Sequence, residues 1–125
     1  MTNRRVIFLV DDNKMVSEIM SELLASYGFC VKTAFTGSSA LEIYKQIFKT
    51  VDLAILDLKL PDINGMDLCL QLRQIDPNLK ILFMSGYSLC DNLNDFMQEQ
   101  TNCIFIQKPV RCAELHKIIK SLIGE

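Results

Sequence analysis

Short unbroken apolar runs alternate with longer stretches in which apolar residues return every three or four positions. Val6-Ile7-Phe8-Leu9-Val10 is such a run and ends in Asp11-Asp12. From Lys14 to Tyr27 the apolar residues Met15, Val16, Ile19, Met20, Leu23, Leu24 and Tyr27 recur at helical spacing, and Gly28 stops that helix. Phe29 to Ala34 predicts a second strand. Thr36, Ser38 and Ser39 offer cap oxygens to a second helix marked by Ala40, Leu41, Tyr44, Ile47 and Phe48. Val51 to Leu56, interrupted by Asp52 and ended by Asp57, predicts a third strand. Pro61-Asp62-Ile63-Asn64-Gly65 is a turn cluster in which Asn64 is placed to cap a helix bearing Met66, Leu68, Leu72 and Ile75. Asp76-Pro77-Asn78 ends it. Lys80 to Met84 is the fourth strand, closed by Ser85-Gly86. A weaker helix over 89–100 carries Leu93, Phe96 and Met97. Cys103 to Ile106 is the fifth strand, followed by Lys108-Pro109, and Arg111 to Ile123 is a last helix with Leu115, Ile118, Ile119, Leu122 and Ile123.

Strict strand–helix alternation with continuously apolar strands predicts a parallel sheet covered by helices on both faces. Each crossover is expected to be right-handed. Five strands suit an open sheet and are too few for an eight-stranded barrel. The expected architecture is therefore α/β: a doubly wound, flavodoxin-like, five-stranded sheet with five helices. With no interior linker or repeat, residues 1–125 are expected to form a single domain.

Composition narrows the function. Half the residues are apolar and 22% are charged, which excludes a disordered tail. The net charge of -2 argues against a generic basic surface for nucleic acid. No apolar run approaches the ~18 residues of a membrane span, and residues 1–10 lack a secretory pattern. The five cysteines, Cys30, Cys69, Cys90, Cys103 and Cys112, form no C-x-x-C pair, and His116 is the only histidine. A zinc site is thus not expected. Reduced, mostly packing thiols and a cytoplasmic location are.

In an open α/β sheet, ligands bind outside the carboxyl ends of the strands. Those ends carry Asp11 and Asp12 after the first strand, Asp57 after the third, Ser85 after the fourth and Lys108 after the fifth. If the sheet runs 2-1-3-4-5, these strands are neighbours and the side chains share one crevice. Three close carboxylates repel one another, and a divalent cation relieves the repulsion. An all-oxygen set selects a hard ion such as Mg²⁺. One carboxylate can accept a phosphoryl group as an aspartyl nucleophile does. Lys108 and the cation would then neutralise charge, and Ser85 would donate a hydrogen bond. Taken singly, each residue has a plainer role: Asp11 and Asp12 as caps of the first helix, Asp57 as a loop cap, Ser85 in a turn, Lys108 as a solvated strand end. Four plain roles falling on four adjacent strand ends are much harder to accept.

The segments Val10-Asp11-Asp12, Leu56-Asp57-Leu58-Lys59-Leu60-Pro61-Asp62-Ile63-Asn64-Gly65-Met66-Asp67, Met84-Ser85-Gly86 and Gln107-Lys108-Pro109 resemble, in order and spacing, the receiver domains of two-component response regulators (the CheY-like family). The 2-1-3-4-5 strand order is itself a property of that family. The resemblance implies that Asp57 is the phosphoacceptor, charged from a phosphohistidine on a kinase or phosphotransfer protein. It implies Mg²⁺ held by Asp12, Asp57 and the backbone carbonyl of Lys59, with Asp11 acting through water. Lys108 would pair with the phosphate, and a cis Lys108-Pro109 bond is usual in such domains. Ser85 would be the switch hydroxyl and Phe105 the switch aromatic, here without a phenol. Val110 stands where an aromatic is frequent. Lys59 and Tyr87 flank the path of the water that would hydrolyse the phosphate.

A phosphatase of the haloacid-dehalogenase kind would place its nucleophile in a D-x-D motif after the first strand, and here Asp11-Asp12 are adjacent. A flavodoxin-like cofactor binder would need a Ser/Thr/Gly phosphate loop there, and the two aspartates would repel the phosphate. The expectation is a switch that promotes its own aspartyl phosphorylation and dephosphorylation, not a conventional enzyme. Its output would pass to another protein or a fused domain, without nucleic acid or membrane, and the face of the fourth helix, fifth strand and last helix is where a dimer would form. His116, beside the apolar stripe of the last helix, is expected to be a solvated surface residue.

Overall fold

The computed structural model describes residues 4–86 and 91–124. Five strands, β1 (Val6–Val10), β2 (Cys30–Ala34), β3 (Leu53–Leu56), β4 (Ile81–Ser85) and β5 (Cys103–Gln107), alternate with five helices, α1 (Lys14–Ser26), α2 (Gly37–Ile47), α3 (Gly65–Ile75), α4 (Asp91–Glu99) and α5 (Cys112–Ile123). All pairings are parallel and the order is β2-β1-β3-β4-β5, as expected.

Alternate residues of each strand feed two separate cores. Phe8, Val10, Ala54, Leu56, Ile81 and Phe83 face α2 and α3, where they meet Ala40, Tyr44, Leu68 and Leu72. Ile7, Leu9, Leu53, Ile55, Leu82 and Met84 face Leu24 of α1 and Leu115 and Ile119 of α5. Both faces are covered over the central strands β1, β3 and β4, so these read as unbroken apolar runs rather than alternating ones. Burying a side chain such as Leu72 contributes about 2 kcal/mol, and truncating it to alanine costs roughly 2–5 kcal/mol once the cavity is counted. The edge strand β5 is less covered, and Ile104 is 37% exposed.

The caps follow local chemistry. Thr36 Oγ1 accepts from the Ser39 amide and Asn64 Oδ1 from the Asp67 amide. The first helix is capped by Asn13, whose Oδ1 accepts from Val16 N–H at 3.1 Å, so the plainer role of cap does not fall to Asp11 or Asp12. Gly28, at φ +94°, takes the left-handed conformation that ends α1. The Lys108-Pro109 bond is cis.

Several details differ from the pattern in the sequence. The apolar positions of α1 span about half its circumference at ~3.6 residues per turn, and the sheet covers only the side with Ser17 and Leu24. Met15 and Ile19 are left 71% and 62% exposed. β3 begins at Leu53 because the Asp52 carboxylate turns to the start of β1, accepting Val6 N–H at 2.7 Å and pairing with Arg5 at 3.4 Å. β5 extends to Gln107, which is in register with Ser85. His116 is half-buried rather than fully solvated: its ring stacks on Tyr27 at 3.9 Å and meets the edge of Phe29 at 6.0 Å. The turn between α1 and β2 packs there against α5. Cys30, Cys69, Cys103 and Cys112 carry free thiols, and burial pushes that of Cys69 up to about 11. Cys90, Tyr87 and the first residues of the expected fourth helix lie outside the described residues.

Candidate functional site

The loops after β1, β3, β4 and β5 open on one edge of the sheet and bring Asp11, Asp12, Asp57, Ser85 and Lys108 together. Asp11 is 4% exposed, and both of its oxygens are engaged. Oδ1 accepts Asn13 N–H at 3.0 Å and Oδ2 accepts from Lys108 Nζ at 2.9 Å. Asp57, half-buried, accepts Lys59 N–H on Oδ1 at 3.2 Å, and its Oδ2 lies 3.6 Å from Lys108 Nζ. Asp12 is exposed at the rim. Ser85 is wholly buried at the end of β4, and its carbonyl accepts Lys108 N–H at 2.7 Å. That bond ties the end of β5 to β4 and sends the lysine side chain back over the carboxylates.

Burial pushes the Asp57 carboxyl above its ordinary range. The Lys59 amide and the Lys108 ammonium oppose the shift, and the charges of Asp11 and Asp12 add to it. One oxygen from each of the three aspartates lies within 4.8 Å of the others. Among the described residues the Lys108 ammonium pairs with two of these three carboxylates, and the donor set is oxygen throughout. Such a cluster can hold a divalent hard cation, and Mg²⁺ fits it. A cavity of about 320 Å³ leads to it, lined by Asp12, Asp57, Lys59, Leu60, Pro61, Ser85 and Gly86. A wider groove of about 880 Å³ along α5, with Arg111, Glu114, His116 and Lys117, lies away from the carboxylates.

The loop between β3 and α3 is tightly seated. Gly65 N–H donates to Leu58 O at 2.8 Å, and Lys59 bridges to Asn64. A Cβ on Gly65 would fall 2.5 Å from the Asp57 carbonyl oxygen, so only glycine lets α3 start this close to the acceptor strand. Asp62 turns away from the crevice to the first turn of α2, accepting Gly37 N–H at 2.8 Å and Ser38 N–H at 2.9 Å. Neither Asn13 nor Asp62 stood out in the sequence. Asn13 follows two equally capable aspartates, and the partners of Asp62 are 25 and 24 residues away. Phe105 is half-buried against the core on the α2 and α3 face. Lys59 is exposed.

An open parallel sheet with an acidic crevice and an opposing lysine at its carboxyl edge is the architecture of a receiver domain. Residues 7–120 match the family model described as the response regulator receiver domain, and the chain belongs to that family. It is 29% identical over 117 residues to the sensor kinase CckA of Brucella abortus, a match over 94% of this chain and 12% of that protein. It is 24% identical over 123 residues to the sporulation initiation phosphotransferase F of Bacillus subtilis, covering 98% of this chain and 96% of that one. A solved response regulator receiver domain protein from Clostridium thermocellum superposes with a TM-score of 0.89 at 27% identity, over 96% of this chain and 94% of the other. The chain spans 12% of CckA and 7% of the hybrid signal transduction histidine kinase L of Dictyostelium discoideum, so it matches a small part of each. Among the described residues, no helix is long and apolar enough to cross a membrane.

Proposed function

We propose that this domain is a phosphorylation-dependent switch whose acceptor is Asp57. The observation that carries the proposal is the position of Asp57 in the crevice, at the end of a central strand. Its carboxylate faces the cavity with Lys108 Nζ 3.6 Å away and oxygens of Asp11 and Asp12 within 4.8 Å.

A carboxylate oxygen of Asp57 attacks the phosphorus of a phosphohistidine on a partner kinase or phosphotransfer protein. The new P–O bond forms as the P–N bond breaks, and the departing electron pair returns to the imidazole. Asp12, Asp57 and the Lys59 carbonyl, with Asp11 behind them, would hold Mg²⁺. The ion supplies charge neutralisation for the transferring group. Lys108, poised between Asp11 and Asp57, turns its ammonium to the phosphoryl oxygens. The Ser85 hydroxyl donates to the same group. Movement of Ser85 frees space for Phe105, which repacks the face of α4, β5 and α5. That face serves an output protein, a fused output domain or a second copy of the chain. Met15 and Ile19, exposed one turn apart beside the crevice, give the donor an apolar landing surface. Lys59 at the rim modulates the approach of hydrolytic water, and Tyr87 is proposed to share that role. The whole chain acts as one domain in the cytoplasm, without direct contact with nucleic acid.

The test is incubation with acetyl phosphate and Mg²⁺, read by intact mass and by acid- and base-lability. One labile phosphate is expected on the wild type and none on Asp57→Ala. Labelling of Asp57→Ala at the wild-type rate overturns the assignment.

A further inference from the structure

We propose that Asp62 is a positioning residue that clamps the loop bearing Asp57 and Lys59 onto the start of α2, and that this clamp tunes the affinity of the crevice for a divalent cation. The inference rests on the metal-assisted phosphorylation proposed above.

The first-turn amides of a helix have no partners within the helix. In α2, Thr36 satisfies one of them, the Ser39 amide, from its own loop. The next two come under a side chain from a different loop: Asp62 Oδ1 takes Gly37 N–H at 2.8 Å and Oδ2 takes Ser38 N–H at 2.9 Å. The two bonds use both oxygens of one carboxylate, which fixes its orientation as well as its distance. The positive end of α2 favours the anion there. These amides hold the Asp62 carboxyl below its usual range.

The fit is close. A Cβ on Gly37 would run into Ile63 Cγ2 and lie 3.3 Å from Asp62 Oδ1, so the absence of a side chain at residue 37 is what lets the loop approach. At its other end the loop is held by the Lys59–Asn64 bridge and by Gly65 N–H on Leu58 O. Residues 59–64 are therefore pinned from α3 on one side and from α2 on the other. Without Asp62, the α2 side keeps only the apolar contact of Ile63 at Gly37, which fixes no direction for the loop backbone. The loop then samples more positions of the Lys59 carbonyl and of the strand end at Asp57, and ligand groups that wander must be ordered when the cation binds. Supporting groups outside a metal's ligand set typically alter affinity by about tenfold or more. Asp62 stands one step further out, and a loss of about three- to tenfold is expected.

The experiment is an NMR titration of the full chain with Mg²⁺, for wild type, Asp62→Ala, Asp62→Asn and Asp62→Glu, at a temperature where each is fully folded by thermal melt. In the wild type the Gly37 and Ser38 amides should shift with the same midpoint as Leu58, because the clamp links them. Asp62→Ala should raise the midpoint about three- to tenfold and leave residues 37 and 38 silent. Asp62→Asn, with a single acceptor oxygen, should fall between, and Asp62→Glu should recover part of the affinity. A purely structural role would lower the melting temperature of Asp62→Ala without moving the Mg²⁺ midpoint, and that result overturns the clamp while leaving the metal site standing. A wild type that takes up no Mg²⁺ overturns the metal site and the role of the clamp with it.

Discussion

Gly65 has no positive φ, so its replacement by alanine ought to help the fold. Alanine at a helical position gains about 0.5–1 kcal/mol over glycine through the entropy of the unfolded chain. Here the surroundings oppose that gain. The added Cβ would sit 2.5 Å from the Asp57 carbonyl oxygen and 2.8 Å from Leu58 Cα, whereas ordinary contact begins at 3.4 Å. Relief requires a shift of about 0.9 Å, the difference between 3.4 and 2.5 Å. Both obstructing atoms are main chain, so no side chain can rotate out of the way. Overpacking of this kind costs roughly 1–3 kcal/mol, which outweighs the entropic gain. A net loss of about 1–2 kcal/mol follows. With an unfolding entropy near 2.1 cal/mol/K per residue, that loss lowers Tm by about 4–8 °C. The functional effect should be larger than the thermal one. A displacement near 1 Å at a reacting group costs up to about 100-fold in rate, and the backbone being pushed is that of Asp57 itself. Acetyl phosphate labelling of Gly65→Ala, followed by mass spectrometry well below its Tm, should be at least tenfold slower than wild type. A variant that melts at or above the wild-type temperature and labels at the wild-type rate would refute the close approach of α3 to the acceptor strand.

Two further outcomes follow from charges and buried polar groups. Lys108→Ala removes the ammonium 2.9 Å from Asp11 and 3.6 Å from Asp57, so Mg²⁺ should bind several-fold tighter by titration while labelling slows by at least about tenfold; weaker Mg²⁺ binding would show that the lysine does not compete for the carboxylates. Tyr44, wholly buried, donates its hydroxyl to Asp76 Oδ2 at 3.1 Å, and Tyr44→Phe should cost about 1 kcal/mol, read as a Tm lower by about 4 °C. Burial, with the Asp76 carboxylate beside it, raises the Tyr44 phenol well above its ordinary value of 10.0. The folded state thus keeps a proton that the unfolded chain releases. The contribution is whole below about pH 10 and declines as pH rises further. Denaturant melts between pH 8 and 11 should show a shallower alkaline decline in Tyr44→Phe, and parallel profiles would assign the decline to other groups.

Much of the architecture was legible because its causes are local. The central strands β1, β3 and β4 are apolar where two layers of helices cover them, and each polar strand end falls where the sheet stops. The crevice could be inferred because its members follow four strands that the fold sets side by side. Contacts between distant loops left no such mark. Asp62 looks like any turn residue until Gly37 and Ser38 are seen opposite it. Periodicity in α1 counts Met15 and Ile19 with Leu24, because spacing alone does not say which half of a wide apolar stripe meets the sheet. His116 sits beside its stripe as expected, but only the folded chain brings Tyr27 beneath it. At the start of α1, three consecutive residues carry oxygens able to cap. The backbone chose Asn13 because Asp11 is turned toward Lys108.

The ion pair between Asp11 and Lys108 joins residues 97 positions apart. During synthesis, nearly the whole of β1 through β5 must emerge before its second member exists. The three aspartates come from earlier turns, so a nascent chain that has not reached Lys108 holds the negative half of the crevice without its lysine. The Asp11–Lys108 pair therefore closes only when the final strand docks on the sheet edge, and until then the three carboxylates stand without that counter-charge.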